Sequence, residues 1–261
     1  MNILVFDIET VPDVELGRRL YDVPDFDDAT VAKVMFFKQK QARHSDFLPP
    51  PMQRVICVSA VLRTREALHV FSLGDEKSSE KELVQRFFDG LDRYSPCLVS
   101  WNGAGFDLPV LHYRALKHGV NARRYWDTGD GDREFRYNNY LNRFHWRHID
   151  LMDVLAGYQG GRGASLELVA QLVGLPGKLG MSGDRVWGAY QRGEIKEIRD
   201  YCEIDVLNTY LVFLRFQLMR GELDASRYDA ELLELETKLE QAAEPHLQRF
   251  LEAWRAARNV R

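Results

Sequence analysis

Short apolar runs rich in β-branched residues recur in the first hundred positions of the chain and predict the strands of a sheet. The first run leads directly into Asp7, and the later runs are separated by turn residues or by amphipathic segments. Runs of this length and composition are typical of buried strands. We therefore predict four strands, at residues 2–6, 54–62, 68–73 and 97–101.

Between and after these runs, apolar residues recur every three or four positions, which is the spacing of one face of a helix. Helices are predicted at residues 80–94, 108–118, 166–173 and 193–220. Residues 225–260 predict two more amphipathic helices, separated at Pro245. Residues 12–52 are polar, acidic and aromatic, so we predict an insertion at the edge of the sheet. The alternation of strands and helices indicates an α/β fold.

The size and charge of the chain limit the classes of protein that it can represent. It has 261 residues, 45% hydrophobic and 28% charged, which fits one α/β domain with appended elements. We expect this domain at residues 1–220 and a helical extension packed on it at residues 221–261. A formal net charge of -4 is unusual for a nucleic-acid-binding protein. Functional carboxylates that bind metal ions would account for part of this acidity.

Cysteine usage and the first residues bear on the cellular compartment. Cys57, Cys97 and Cys202 are far apart and form no Cys-x-x-Cys pair, so neither a zinc site nor a disulfide framework is predicted. The chain starts with carboxylates after a short apolar run, unlike a signal peptide, and no stretch reaches the roughly 20 apolar residues of a membrane span. We therefore expect a cytoplasmic protein without a membrane partner.

Asp7 and Glu9 are the first residues with candidate chemistry. They are two positions apart at the end of a predicted strand, so their side chains should project from the same face. Two adjacent carboxylates favour a bound cation. A solvated strand end would carry the same residues, so this pair needs further partners to be informative.

Two later segments supply such partners. Asp107 follows the glycine-rich turn at residues 102–106 and begins a predicted helix, where the simplest alternative role is a helix N-cap. Tyr201 and Asp205 are four residues apart on another predicted helix, which places them one turn apart on its apolar face. A carboxylate on such a face is costly unless it is paired, hydrogen-bonded or metal-bound. A buried contact of Asp205 with a Tyr or Arg is the alternative.

The order of these segments, Asp-x-Glu, Asn-x-x-x-Phe-Asp and Tyr-x-x-x-Asp, resembles the three exonuclease motifs of the DEDD superfamily, in its DEDDy branch. Asp200 stands where the DEDDh branch has histidine. The second motif, together with residues 148–151 and 165–170, resembles the proofreading domain of family B DNA polymerases. The resemblance covers about residues 1–218 and extends to stand-alone bacterial polymerase-B-like 3′-5′ exonucleases. It implies a ribonuclease H-like mixed sheet flanked by helices.

The resemblance also implies a site for two Mg²⁺ or Mn²⁺ ions, held by Asp7, Glu9, Asp107 and Asp205. Asp7 would contact both ions, Glu9 and Asp205 would complete the site of the ion that binds the attacking water, and Asp107 would lie near the leaving oxygen. Tyr201 would orient the nucleophile, because a phenol with a pKa of about 10 is a poor general base near neutrality. The implied reaction shortens single-stranded nucleic acid from its 3′ end, DNA favoured, and releases nucleoside 5′-monophosphates.

The candidate substrate-binding residues are Thr10, Val11, Asn102, Phe106, Arg143 and Arg147. By the resemblance, the first two line the pocket of the terminal nucleotide and the phenylalanine wedges against its base. The two arginines belong to residues 114–147, where basic and aromatic residues alternate, a composition that suits phosphates and stacked bases. A scaffold segment whose aromatic residues pack on the domain is an equally acceptable alternative.

Some assignments stay open at this point. Asp150 is interpreted as a helix cap or as a support of the site, with the cap favoured. His145 and His148 lack the spacing of metal ligands and are predicted to be surface or packing residues. Two other functions fit the sequence, an exonuclease for RNA or short oligonucleotides and a catalytically silent nucleic-acid-binding module. A chain of 261 residues leaves no room for a polymerase, so any proofreading would occur in trans.

Overall fold

A five-stranded mixed sheet forms the centre of the computed structural model, which describes residues 2–161 and 163–259. The strands are β1 (Ile3–Pro12), β2 (Gln53–Arg63), β3 (Leu68–Ser72), β4 (Cys97–Ser100) and β5 (His148–Asp150). Their order across the sheet is β3-β2-β1-β4-β5. β1 and β2 are antiparallel, as are β2 and β3, whereas β4 runs parallel to both β1 and β5. This antiparallel meander extended by parallel strands is the predicted ribonuclease H-like arrangement.

Helices cover both faces of the sheet in the described part of the chain. They are α1 (Val14–Tyr21), α2 (Asp28–Arg43), α3 (Glu80–Tyr94), α4 (Asp107–His118), α5 (Leu151–Leu155), α6 (Leu166–Leu172), α7 (Val186–Gln191), α8 (Ile195–Met219), α9 (Ala225–Glu240) and α10 (Pro245–Asn259). Short 3₁₀ helices lie at Pro50–Met52, Arg133–Arg136 and Gly183–Arg185. The prediction gave no bounds for β5, α5 and α7, because elements of three to six residues are too short to show a repeating apolar pattern.

Alternation of side chains along the strands builds a core on each face of the sheet. Val5 and Val99 pack toward α8 and the C-terminal helices. Leu4 and Leu98, their neighbours in sequence, pack toward α3 and α4. Helix α8 is buried over most of its 25 residues, because the sheet lies on one side of it and α9 and α10 lie on the other. The sheet is therefore held between two helical layers, and α8 passes directly over β1.

Strand β1 is longer than the predicted residues 2–6, so Asp7 and Glu9 lie within it rather than after it. It pairs with β2 along its whole length, with one register shift next to Glu9 where β2 has an extra residue, Ile56. Strand β4 pairs only with residues 3–5 of β1. One edge of β1 is consequently open from residue 6 onward, beside the two carboxylates.

Residues 12–52, predicted as an insertion, contain the helical pair α1 and α2. The two helices pack through a small core that includes Val31, Met35 and Leu48. A Cβ at Gly17 would lie 2.5 Å from the sulfur of Met35, so glycine permits their close approach. The helices were missed because this core is small and most of their surface is polar.

The two C-terminal helices were predicted, and α10 begins at Pro245 as expected. Leu235, Phe250 and Trp254 are buried in the same core as α8. Nε2 of His246 in α10 donates a hydrogen bond of 2.7 Å to the Glu203 carboxylate of α8. Within the described ranges, no helix combines the length and the apolar surface that crossing a membrane requires.

Candidate active site

Asp7 and Glu9 lie on the face of β1 that α8 covers. Alternate side chains of β1 point to this face, which also carries Val5 and Val11. Val11 packs with Tyr201 of α8, which shows that the helix crosses here. Glu9 is 8% exposed, while Asp7 is partly exposed. The prediction that both carboxylates share one face is confirmed.

Asp107 approaches the pair through the open edge of β1. Its Oδ1 accepts a hydrogen bond of 3.1 Å from the backbone N–H of Ile8. Strand β4 has ended at this level, so the carboxylate takes the place of a neighbouring strand's carbonyl. The N-cap interpretation was wrong, because Phe106 occupies the cap position and Asp107 is the first helical residue. Asp107 is 3% exposed and its carboxyl contacts that of Asp7.

The turn before Asp107 is fixed by Asp150. Its two carboxylate oxygens accept hydrogen bonds of 2.9 Å from the backbone N–H groups of Asn102 and Ala104. A Cβ at Gly103 would lie 2.3 Å from Oγ of Ser100, so only glycine fits there. Asp150 also caps α5, which confirms the predicted cap and adds a supporting role for the site.

Tyr201 and Asp205 reach the carboxylates from α8. They are one helical turn apart, and the phenol interacts with the Asp205 carboxyl. Asp205 is 8% exposed, yet its Oδ1 has no hydrogen-bond partner among the described residues. A buried carboxylate oxygen without a partner is costly in free energy. Its position therefore fits that of a ligand atom.

Convergence of these groups shifts their pKa values. Burial raises the pKa of Asp7 well above its usual range, and the charges of Asp107 and Asp205 raise it further. Burial, followed by the charge of Asp7, does the same to the pKa of Glu9. Burial raises the pKa of Asp107 to about 7 and that of Asp205 to about 6. The pKa of Tyr201 is also raised, first by burial and then by Asp205. Ionising all four carboxyl groups of the cluster together is therefore unfavourable.

The residues present fit a divalent cation. Asp7, Glu9 and Cys202 each offer a ligand atom, and these atoms lie within 4.8 Å of one another. Carboxylate oxygens are the ligands that Mg²⁺ and Mn²⁺ prefer, and the unpartnered oxygen of Asp205 adds another donor. A bound cation would remove the repulsion that raises these pKa values.

The candidate residues for the terminal nucleotide have different surroundings. The Thr10 hydroxyl donates to Gln53 at 3.0 Å, close to the motif. Val11 is buried beneath Tyr201 and belongs to the core. Phe106 is partly buried, and its ring lies 5.2 Å from that of the exposed Phe47. Phe106 therefore keeps a partly free aromatic surface, whereas Val11 has none.

The two candidate arginines are engaged with the protein itself. Arg143 donates to both carboxylate oxygens of Asp153 at 2.7 Å and remains about half exposed. Arg147 is 7% exposed, donates to the carbonyl oxygens of Asn138 and Ser95, and lies 4.6 Å above the ring of Phe135. Its burial argues against a phosphate contact and supports the scaffold alternative, because the guanidinium already has internal partners.

Two features of the site were not predicted. Cys202 follows Tyr201 directly, and its sulfur lies 3.5 Å from Oδ2 of Asp7. Its position inside the third motif was the available signal. The second feature is a cavity of about 620 Å³ beside Tyr201, whose lining includes Arg185 and Arg249. Both arginines are exposed and have no ion pair within the described ranges. The cavity lies between α8, α10 and the residues before α7.

Comparisons with known proteins find one family model and DNA polymerase relatives. The model of the family described as "Predicted 3'-5' exonuclease related to the exonuclease domain of PolB" matches residues 45–254, a range that includes Asp107, Tyr201 and Asp205. A DNA polymerase of Archaeoglobus fulgidus is 24% identical over 179 residues, which are 67% of this chain and 22% of that polymerase. DNA polymerase 1 of Sulfurisphaera ohwakuensis is 51% identical over 39 residues, 15% of this chain and 4% of that protein.

A solved structure of the family B DNA polymerase from the hyperthermophilic archaeon Pyrobaculum calidifontis aligns with 96% of this chain and 27% of that chain. The sequence identity is 15% and the TM-score is 0.49. The chain therefore spans less than a third of the length of any of these polymerases. The family model, in contrast, covers most of the chain. On this match the protein belongs to the family of predicted 3′-5′ exonucleases related to the exonuclease domain of PolB.

Proposed function

We propose that this chain is a two-metal-ion 3′-5′ exonuclease that hydrolyses single-stranded nucleic acid, DNA favoured, and releases nucleoside 5′-monophosphates. The observation that carries the proposal is the convergence of Asp7, Glu9, Asp107 and Asp205 from three elements around an unpartnered Asp205 oxygen. Like charges in a partly dry site are unfavourable without cations. Their clustering therefore supports a metal-binding site rather than a structural one.

Each side chain has a role in this proposal. Two bound Mg²⁺ or Mn²⁺ ions would supply an activated water and stabilise the charge that develops on the phosphate. Asp7 would help to hold both ions, Glu9 and Asp205 would act on the side of the attacking water, and Asp107 would act on the side of the leaving oxygen. Tyr201 keeps its proton because burial and Asp205 raise its pKa, so it orients the nucleophile by hydrogen bonding.

Basic side chains lie beside the carboxylates, where a substrate strand would approach them. The cavity beside Tyr201 presents Arg185 and Arg249, which are exposed and free of ion pairs in the described part of the chain. Guanidinium groups bind phosphate oxygens well. In the second motif, the partly buried Phe106 and the exposed Phe47 form an aromatic pair that suits base stacking. We assign the phosphates to the first region and the terminal base to the second, while Arg143 would have to release Asp153 to contribute.

The test uses a single-stranded DNA labelled at its 5′ end, and an RNA of the same sequence, with purified protein in Mg²⁺ or Mn²⁺. We expect a ladder that shortens from the 3′ end, faster on DNA than on RNA. Nucleoside 5′-monophosphates should be the released products. The Asp7→Ala/Glu9→Ala variant should produce no ladder.

Asp229→Asn is the matched control, because Asp229 is an exposed carboxylate on α9. It should give the wild-type ladder. Shortening of RNA alone would replace the DNA assignment with the RNA alternative. If neither strand is shortened with any metal, the catalytic proposal fails and the silent binding module takes its place.

A further inference from the structure

The thiol of Cys202 lies inside the carboxylate cluster. It follows Tyr201 on α8, is fully buried, and its sulfur is 3.5 Å from Oδ2 and 3.6 Å from the backbone oxygen of Asp7. The ligand atoms of Asp7, Glu9 and Cys202 all lie within 4.8 Å of one another. A sulfur atom is therefore presented to the same space as the carboxylates.

The separation of these atoms matches that of two ligands on one ion. With metal–oxygen and metal–sulfur distances of about 2.0 and 2.3 Å and tetrahedral angles, oxygen and sulfur ligands are roughly 3.5 Å apart. The observed distance from the Cys202 sulfur to Asp7 Oδ2 is 3.5 Å. Independently, Oδ1 of Asp205 is buried without a hydrogen-bond partner among the described residues, one turn further along α8. It is available as an additional oxygen donor.

A sulfur ligand changes which metal ions a site prefers. Mg²⁺ is a hard ion that binds oxygen and keeps several waters, whereas thiolates select softer ions such as Zn²⁺ and Cd²⁺. We propose that Cys202 is a metal ligand, which with Asp7 and Glu9 forms a site for a thiophilic divalent cation. When the metal–sulfur bond forms, the thiol proton passes to solvent. The partly exposed Asp7 is the entry point for the ion.

The effect on activity that this inference predicts rests on the proposed function. An ion held by Cys202 occupies Asp7 and Glu9, which the hydrolytic reaction needs for Mg²⁺. Zn²⁺ and Cd²⁺ should therefore inhibit Mg²⁺-dependent hydrolysis, and the Cys202→Ser variant should be at least about tenfold less sensitive. This factor follows from the 10- to 100-fold losses of affinity seen even for residues that only support a ligand.

The binding itself is tested by Cd²⁺ titration of the metal-free full chain, with the ultraviolet charge-transfer absorption of the cadmium–thiolate bond as readout. Wild type should develop the band with one ion per chain. Cys202→Ser should lose the band, and Asp7→Asn should weaken Cd²⁺ binding about tenfold or more. Cys97→Ser is the matched control, since Cys97 is a buried cysteine whose sulfur contacts the backbone oxygen of Trp146 instead, and it should keep the band.

Two outcomes overturn the inference: no band in wild type, or an unchanged band and affinity in Cys202→Ser. If Cys202→Ser does not fold, as judged by circular dichroism, the Asp7→Asn titration decides alone, and unchanged affinity there overturns the inference. A failure of the proposed function would give a different result from a failure of this inference. A band that requires Cys202 in a protein that shortens no strand in any metal would leave the site standing and remove the exonuclease proposal.

Discussion

At the residue scale, Asp205 illustrates how a polar group on an apolar helix face becomes informative. The sequence placed it one turn after Tyr201, and left open whether it was paired internally or bound to a metal. The structure gives it the Tyr201 phenol as a neighbour but leaves Oδ1 without a partner among the described residues. Because a buried unpartnered oxygen is costly, an external ligand is favoured over an internal pair.

Tyr201→Phe removes only the hydroxyl that interacts with Asp205. We expect kcat on single-stranded DNA to fall about 10- to 100-fold, with KM changed little. This fall corresponds to a loss of about 1–3 kcal/mol of transition-state stabilisation, because the nucleophile is no longer oriented. Steady-state kinetics with a labelled oligonucleotide measure both constants. Tyr94→Phe is the control, because Tyr94 lies at the far end of α3. An unchanged kcat in Tyr201→Phe would remove Tyr201 from the catalytic residues.

At the element scale, a buried ionic cluster centred on Arg114 fixes α4, the helix that carries Asp107. Its guanidinium donates to Asp13 at 2.6 Å and to Glu80 at 2.5 Å, and Glu80 also accepts from the backbone N–H of Val55 at 2.7 Å. Arg114 is the first residue of the segment 114–147, whose basic and aromatic composition suits a nucleic-acid strand. It is 2% exposed, so its charge serves packing between α4, α3 and β2.

Arg114→Met should destabilise the fold, because the buried Asp13 then keeps only Lys117, and the buried Glu80 keeps only His118, as side-chain partners in the described part of the chain. Removing one partner of a buried ion pair typically costs about 3–5 kcal/mol. Urea unfolding followed by circular dichroism measures this loss. Arg123→Met replaces an exposed arginine of the same segment and should change stability by less than about 0.5 kcal/mol. A loss below about 1 kcal/mol for Arg114→Met would show that the cluster does not hold α4.

At the scale of the whole molecule, the carboxylate cluster couples folding to metal binding. Millimolar Mg²⁺ or Mn²⁺ should raise Tm relative to chelator, since a ligand at 100 times its Kd stabilises the folded state by about 2.7 kcal/mol. For a chain of this size that corresponds to roughly 5–10 °C in thermal unfolding. Asp205→Asn should lose most of the increment, and Asp229→Asn should keep it. Identical melting curves with metal and with chelator would contradict the predicted metal site.

The same cluster gives the metal-free protein a defined pH dependence. The ordinary pKa of an aspartate is 3.8, whereas that of Asp107 is about 7 in the fold, so the folded state keeps this proton to higher pH. The stabilisation that the protonated Asp107 contributes is fully present below pH 3.8 and is lost as the pH rises through about 7. His112 and His148 act in the opposite direction, since burial lowers the pKa of each from 6.5 to about 4. Their stabilisation is lost as the pH falls toward 4.

Comparison with Asp107→Asn separates these effects, because the variant keeps both histidines. In chelator, the Tm of Asp107→Asn minus that of wild type should increase between pH 5 and pH 8, by at least about 2–4 °C, or about 1 kcal/mol. Added Mg²⁺ should reverse the difference at pH 8, since the variant lacks a ligand. A Tm difference that does not change with pH would mean that Asp107 does not titrate in this window.

The sequence by itself determined the α/β class, the residues of the three motifs and the long apolar helices, because side-chain periodicity and local spacing are recorded in the order of residues. It placed Asp7 and Glu9 on one face and Tyr201 one turn from Asp205, and both are observed. It could not show that β1 continues past β4. That difference in strand length opens the edge at Ile8 where Asp107 binds, and it arises from pairing with a distant strand.

Only the tertiary structure decided which basic and polar residues serve the site. Arg147 and Arg114 are basic in the sequence but buried by contacts with remote segments, whereas Cys202, an unpaired cysteine in the sequence, lies against Asp7. Burial of a charged side chain depends on the partners that folding brings to it. Composition and spacing carry no record of those partners, so the roles of these residues follow from the fold alone.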